Sequence, residues 1–167
     1  GCLTSAQAGQ AVEEAVRCCC PEADVVTCVV SDGGDGMLEA FCRAYGAKLH
    51  TVSVHDPLMR PIQARYGITA HGMAIIESAQ ACGLTLMSAD ERNPLRATTY
   101  GVGELVADAV RRGCRSFIVG LGGSGTSDAG MGMLRALIDA FAPAGGHIDD
   151  VLSGQMADCS FTLACDV

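Results

Sequence analysis

The chain has 167 residues, of which 49% are hydrophobic, enough for one compact domain or two small lobes. Its formal net charge is −8 and Lys48 is its single lysine, so a nucleic-acid or anionic-membrane partner is disfavoured. No stretch approaches the roughly 18 apolar residues of a membrane span, and the start lacks a signal pattern. We therefore expect a cytosolic protein that binds small molecules.

The first part of the chain predicts a helix, a buried strand and a second helix, at residues 5–19, 25–30 and 37–45. Pro21 ends the first helical pattern, and the glycine-rich stretch SDGGDG (31–36) separates the strand from the second helix. Gly46 is expected to cap that helix. The order strand, glycine loop, helix is typical of an α/β unit.

The middle of the chain predicts a hairpin-rich insertion. Its strand patterns are HTVSVH, PIQARYGIT and MAIIESA, at 50–55, 61–69 and 73–79. Turn signals at Asp56-Pro57 and His71-Gly72 separate them.

The last part predicts a helix at 98–113, a strand at 115–123, a helix at 128–141 and an apolar final strand. Thr98 and Thr99 are the candidate N-caps of the first of these helices. Two units of strand, glycine loop and helix imply an α/β fold with largely parallel sheets, which bind ligands beyond the carboxyl ends of their strands. We expect two lobes, with 1–50 in a first α/β domain and 51–167 in a second, and a fragment of a longer chain.

Most of the ten cysteines lie within apolar segments, where a thiol behaves as a small hydrophobic group. The run at 18–20 offers a soft-metal site as an alternative to surface thiols near a helix end. No second ligand cluster with zinc-like spacing accompanies it, so surface thiols are favoured.

The stretch GLGGSGTSD (120–128) is the most informative part of the chain. Its glycines formally satisfy G-x-G-x-x-G, but the acidic residue that a dinucleotide site needs on a following strand is missing. A Walker loop would need a lysine, and none is nearby. Backbone amides and hydroxyls at a helix start can hold phosphate without one. The candidate phosphate-binding residues are Gly122, Gly123, Ser124, Gly125, Thr126 and Ser127.

Asp128 stands in this loop although phosphate repels carboxylates. One interpretation is that it caps the following helix. The other is that it accepts the proton of an attacking hydroxyl, or binds the Mg²⁺ that comes with a nucleotide. The sequence leaves both open.

The first glycine stretch allows similar alternatives. Asp32 and Asp35 flank Gly33 and Gly34, and they either cap their own turn or coordinate metal and hydrogen-bond a polyol. A calcium loop is disfavoured because the glutamate at its twelfth position is missing. Two such loops in one α/β chain favour convergence on one site.

Several of these motifs together resemble the bacterial glycerate kinase family of the glycerate 2-kinase type. They are SDGGDG, DPLMRPIQARYG, IIESAQACGL, ERNPLRATTYGVGEL, GLGGSGTSDAGMGML and ACDV, in this order along essentially the whole chain. The resemblance implies two α/β domains, one of them flavodoxin-like, with an active site between them. It implies transfer of the γ-phosphoryl group of ATP, with Mg²⁺, to D-glycerate.

The resemblance also implies site residues, with Asp128 and Asp166 as catalytic groups and Asp128 and Asp32 as candidate Mg²⁺ ligands. The implied binding residues are Asp32, Gly33, Gly34, Asp35, Thr98, Thr99, Gly101, Glu104 and Gly122 to Ser127. The chain departs from the family at Gly125, Ser127 and Ala129, and it lacks the lysine of the family's opening motif.

Two further functions compete with the kinase. One is a non-catalytic fragment that binds an anion or nucleotide, and the other is a nicotinamide-dependent oxidoreductase. An arginine for the glycerate carboxylate cannot be assigned from spacing, although Arg60, Arg92 and Arg96 lie in loop-like segments.

Overall fold

A computed structural model of the chain describes residues 3–28, 30–31, 33–34 and 36–165. Backbone contacts divide the chain into two compact units, Gly1–Ser31 and Asp32–Val167. The domain boundary expected near residue 50 stays a prediction.

The first unit contains one helix, α1 (Ser5–Cys19), as the sequence predicts. A capping box fixes its start: the Thr4 hydroxyl accepts a hydrogen bond from the Gln7 amide at 3.2 Å, and the Gln7 side chain accepts one from the Thr4 amide at 2.9 Å. The helix ends two residues before Pro21.

The predicted strand at 25–30 is wrong for the residues that the structure describes. Residues 25–28 and 30 have no regular secondary structure, and Val29 lies outside the described residues. A strand exists only when a neighbouring strand pairs with its backbone groups. The apolar run favours burial, but it does not provide a neighbouring strand.

The second unit is built on a five-stranded sheet in the order β1-β2-β3-β4-β5. The strands are β1 (Lys48–His55), β2 (Pro61–Ile68), β3 (Met73–Glu77), β4 (Ser116–Gly120) and β5 (Ser160–Ala164). The first three pair antiparallel and the last three pair parallel, which confirms both the hairpins and the α/β class. Because Glu77, Gly120 and Ala164 are paired in register, the carboxyl ends of β3, β4 and β5 lie together.

The turn between β1 and β2 forms where Asp56-Pro57 predicts it. The Asp56 carboxylate is 2% exposed and accepts hydrogen bonds from the amides of Leu58 and Arg60. Burial opposes its charge, but these bonds and the Arg60 guanidinium outweigh burial and lower the pKa of Asp56. The turn is therefore held by an ionised, buried side chain.

The helices of the second unit are α2 (Met37–Tyr45), α3 (Ala79–Cys82), α4 (Tyr100–Arg111), α5 (Met131–Phe141) and α6 (Ile148–Ser153). Gly46 caps α2 in the left-handed conformation, with φ of 60°, as predicted. Thr99 is the N-cap residue of α4. Helices α3 and α6 and a 3₁₀ turn at Leu84–Leu86 were not predicted from the sequence.

Helix α5 begins at Met131, three residues later than predicted. Ala129 and Gly130 have φ of 52° and 77°, left-handed values that cannot continue into a right-handed helix. Residues 128–130 therefore form a turn before the helix.

Two apolar cores cover the two faces of the sheet. Alternation along β3 sends Ala74 and Ile76 into a larger core with α4, and Ile75 into a smaller core with α2. Helices on both faces explain why the central strands are apolar throughout.

The cysteines differ in burial, and burial affects the pKa of their thiols. Cys42, Cys82 and Cys114 are buried, and burial raises the pKa of each thiol. The thiols at 18–20 are exposed, and among the described residues no cluster of three or more His, Cys, Asp or Glu side chains is placed to hold a metal ion. None of the helices described is long and apolar enough to cross a bilayer.

Candidate functional site

Two glycine loops meet at the carboxyl ends of β4 and β5. We call residues 31–36 the first glycine loop and residues 120–128 the second. The Gly122 amide donates to the Gly33 carbonyl at 3.0 Å, and the Leu121 amide donates to the Ala164 carbonyl at 3.0 Å. The expected convergence of the two loops is thus confirmed for their described backbone. Asp32, Asp35 and Asp166 lie outside the described residues.

Glycine is required where the loops touch. A Cβ atom on Gly122 would lie 2.7 Å from the Gly34 nitrogen. Gly33 has φ of 93°, and a Cβ there would lie 2.8 Å from the Ala164 carbonyl carbon. The two loops approach so closely because neither has a side chain at the contact.

The other side of the second loop is held by the segment after β3. The Leu84 amide donates to the Gly123 carbonyl at 2.9 Å, and the Gly125 amide donates to the Cys82 carbonyl at 2.8 Å. Farther along, the Thr126 hydroxyl donates to the Ala97 carbonyl at 2.7 Å. The second loop is fixed on both sides.

The second loop has free hydrogen-bond donors in its backbone. Gly123, Ser124 and Ser127 are exposed. The hydroxyl of Ser124 donates to the Leu121 carbonyl at 2.9 Å. Within the described part of the chain, the amides of Gly123, Ser124 and Thr126 have no protein acceptor. An anion that meets this loop would therefore meet unpaired N–H groups.

The Asp128 carboxylate joins the starts of α4 and α5. It accepts hydrogen bonds from the Thr99 amide at 2.8 Å, the Gly130 amide at 3.0 Å and the Gly132 amide at 3.0 Å. The hydroxyl groups of Thr99 and Thr98 also donate to it, at 2.9 and 3.3 Å. The Thr99 hydroxyl in turn accepts from the Met133 amide at 2.9 Å. Both carboxylate oxygens are occupied by protein donors.

These hydrogen bonds also set the charge of Asp128. Burial raises the pKa of the carboxyl group, but the bonds from Thr99, Gly132 and Gly130 outweigh burial and lower it. A carboxylate accepts about four hydrogen bonds, and five donor groups already surround Asp128, so the geometry favours the capping interpretation over a Mg²⁺ ligand. Its role as a catalytic base stays a prediction.

Comparison with known proteins assigns the chain to a family. The glycerate kinase family matches residues 1–167. The chain belongs to the glycerate kinase family. It is 37% identical to the glycerate 2-kinase of Escherichia coli K12, covering 99% of this chain and 48% of that protein. It is 41% identical to the glycerate kinase of Haemophilus influenzae, covering 81% of this chain and 36% of the relative.

A solved structure agrees with this assignment. A protein of Salmonella typhimurium LT2, assigned as a glycerate kinase 2, superposes with a TM-score of 0.75 and 31% sequence identity. The match covers 99% of this chain and 49% of the solved one. The chain thus spans about half the length of the relatives that it matches over its full extent.

The central family motif lies mostly within helix α4. Thr98 and Thr99 contact Asp128, as described above. Gly101 is buried, and its Cα packs against the His55 backbone carbonyl. The Glu104 carboxylate accepts a hydrogen bond from the His55 amide at 2.6 Å and lies 2.9 Å from the His55 Nδ1 atom. The structure shows this motif joining α4 to its neighbours, and its binding role stays a prediction.

The candidate arginines have unequal surroundings. All three nitrogens of the Arg60 guanidinium donate hydrogen bonds within the protein: Nε to Asp56 at 2.6 Å, Nη1 to Glu91 at 2.8 Å and Nη2 to the Leu86 carbonyl at 3.0 Å. Arg92 and Arg96 are exposed. Arg65, which lies in β2, was not among the predicted candidates.

Glu77 was also missed, although it lies where a functional residue is expected. It ends β3 beside Gly120, and its side chain is buried. Its carboxylate accepts a hydrogen bond from the Leu38 amide at 2.9 Å, which links β3 to the start of α2. A charged residue directly after the apolar run MAII was the available signal.

Proposed function

We propose that the full-length protein phosphorylates D-glycerate with ATP and releases a phosphoglycerate and ADP. The observation that carries this proposal is the contact between the two glycine loops at the carboxyl ends of parallel strands, in a chain of the glycerate kinase family. In α/β sheets this edge is the usual position of a ligand.

The phosphate groups of ATP would be held by the backbone of the second glycine loop. Its unpaired amides at Gly123, Ser124 and Thr126 support this assignment. Lys48 starts β1, at the opposite edge of the sheet, because it pairs with Ile68 and Ile68 pairs with Ala74 near the start of β3. Among the residues described, these amides would therefore bind phosphate without help from an ammonium group.

The reaction itself needs alignment more than covalent chemistry. A hydroxyl oxygen of D-glycerate attacks the γ-phosphorus, the bond from that phosphorus to the ADP oxygen breaks, and the hydroxyl proton leaves to an acceptor. Mg²⁺ would arrive with ATP as part of the substrate. We expect Asp128 to contribute by fixing the second loop between α4 and α5, a positioning role.

The test is an assay of ADP formation by the full-length protein with ATP, with and without D-glycerate. We expect ADP formation that requires D-glycerate and yields phosphoglycerate in equal amount. Nucleotide binding without turnover would contradict the kinase and support an anion-binding module instead.

A further inference from the structure

A polar pocket beside the glycine loops has no role in the function proposed so far. Its volume is about 380 Å³, and it opens between the start of α2, the outer side of β2, the end of β3 and the 3₁₀ turn. We call it the polar pocket. Its polar side chains belong to Glu39, Gln63, Arg65, Glu77, Gln80 and Thr85.

The polar pocket adjoins both glycine loops. On one side it is lined by Gly36, the last residue of the first loop. On another side it is lined by Thr85, which directly follows Leu84 in the chain. The Leu84 amide donates a hydrogen bond to the Gly123 carbonyl of the second loop. Glu77 is paired in register with Gly120, where the second loop begins. The pocket thus shares neighbouring residues with both loops.

Arg65 gives the pocket a positive end. The neighbours Ala64 and Tyr66 are fully buried, so alternation along β2 directs Arg65 to the outer side. One of its nitrogens lies 3.5 Å from a Glu39 oxygen, in a pair whose side chains are 44% and 69% exposed. Exposed pairs of this kind contribute little free energy, so the guanidinium remains available for a bidentate bond to a carboxylate.

Glu77 gives the pocket a negative side. It is 3% exposed, and its oxygens accept hydrogen bonds from the Leu38 amide and, at 3.3 Å, from the Gln80 amide group. These two bonds leave part of its accepting capacity unused. A buried carboxylate with spare capacity is suited to accept a hydrogen bond from a hydroxyl group.

We propose that the polar pocket binds the hydroxy-acid substrate, with the carboxylate on Arg65 and a hydroxyl group toward Glu77. This inference rests on the proposed kinase function and names the acceptor site within it. A positive and a negative group on different walls allow one orientation of a hydroxy acid and disfavour the reverse, since a carboxylate placed against Glu77 is repelled. Gln63, Gln80 and Thr85 supply neutral hydrogen-bonding groups for the remaining oxygens.

The experiment compares the full-length protein with its Arg65→Ala and Arg65→Lys variants. Losing the charge-assisted bond should lower kcat/KM for D-glycerate by roughly ten- to hundredfold in Arg65→Ala and less in Arg65→Lys, which keeps the charge but loses the bidentate geometry. The KM for ATP should not change. Arg43→Ala is the matched control, because Arg43 is exposed near the end of α2 and does not line the pocket.

A further variant, Glu77→Gln, tests the other side of the pocket. Glu77→Gln should weaken the binding of D-glycerate more than the binding of ATP. The melting temperature is measured as well, because the Glu77 side chain is buried. An Arg65→Ala variant with unchanged kcat/KM for D-glycerate overturns the proposal, and so does one whose defect lies in the KM for ATP.

Calorimetric titration of D-glycerate into the same proteins separates the two proposals. If the wild type binds D-glycerate, Arg65→Ala does not, and no ADP forms, the result contradicts the kinase proposal but not the pocket assignment. ADP formation with equal binding by both proteins would contradict the pocket assignment alone.

Discussion

The second glycine loop and the polar pocket lie side by side but are built by different means. The loop presents backbone amides, and its shape depends on the absence of Cβ atoms at Gly122 and Gly33. The pocket presents side chains, and its character depends on Arg65 and Glu77. One site is therefore sensitive to added atoms and the other to removed charges. Substitutions that add a methyl group or remove a charge should affect the two sites separately.

The largest effect is expected from Gly122→Ala. The new methyl group would collide with the Gly34 backbone, which cannot move aside as the end of a flexible side chain can. Overpacking of this kind costs about 1–3 kcal/mol of stability. Displacing the loop by an ångström would reduce turnover by about 100-fold. Urea unfolding and the ADP assay measure the two effects.

Gly67→Ala is the matched control. A Cβ on Gly67 would press against the Cys42 sulfur, and Gly67 pairs with Ile75 in the middle of β3, away from the contact between the two glycine loops. We expect a loss of stability with nearly unchanged KM values for both substrates. Equal damage to turnover by the two variants would show that activity follows stability and not the loop contact.

Asp128→Asn should have the next largest effect, on both stability and turnover. The neutral amide cannot accept all the hydrogen bonds that link α4 and α5, and we expect a loss of about 1–3 kcal/mol at neutral pH. A variant with unchanged stability and abolished turnover would instead support a catalytic base. Urea unfolding of both proteins, beside the ADP assay, distinguishes these outcomes.

The same carboxylate predicts a pH dependence. Its pKa in the folded protein is below the ordinary 3.8, so its stabilisation is fully present above that value. The stabilisation is lost as the pH falls through the lower, folded pKa. The stability difference between wild type and Asp128→Asn should therefore be constant from about pH 7 to about pH 5 and shrink once the pH falls below 3.8. A difference that shrinks near neutral pH would contradict this assignment.

The smallest effect is expected from Ser127→Ala. Ser127 is exposed, and its described hydrogen bond is made by its backbone amide, which donates to the Pro94 carbonyl at 3.3 Å. Stability should change by less than about 0.5 kcal/mol. If the loop binds phosphate through its amides, kcat/KM for ATP should fall less than about fivefold. A larger fall would show that the hydroxyl itself contacts the nucleotide.

Local patterns predicted the elements whose signals are contained in the chain segment itself. The helix at 5–19, the cap at Gly46 and the turn at Asp56 were confirmed because spacing and turn chemistry act over a few residues. The strand at 25–30 was wrong because a strand depends on a partner elsewhere. The late start of α5 was missed because Ala129 adopts a left-handed conformation that its residue type does not announce.

The candidate site also contains features that local patterns predicted and features that they did not. The glycine pattern correctly indicated that two loops meet at one edge of the sheet, and the capping interpretation of Asp128 was one of the two left open. Arg65 and Glu77 were missed because each occurs within an ordinary strand pattern. Only the placement of α2 and the 3₁₀ turn over the sheet brings them into one pocket.

By itself, the sequence determined the α/β class, the hairpins and the family, because hydrophobic spacing and glycine turns are local properties of the chain. Tertiary structure decided which charges are free. It pairs Arg60 with Asp56 and Glu91, surrounds Asp128 with donors from the starts of two helices, and leaves Arg65 with an exposed ion pair to Glu39. The physical reason is that a side chain can bind a ligand only with the charge and hydrogen-bonding groups that its neighbours in the folded protein do not already occupy.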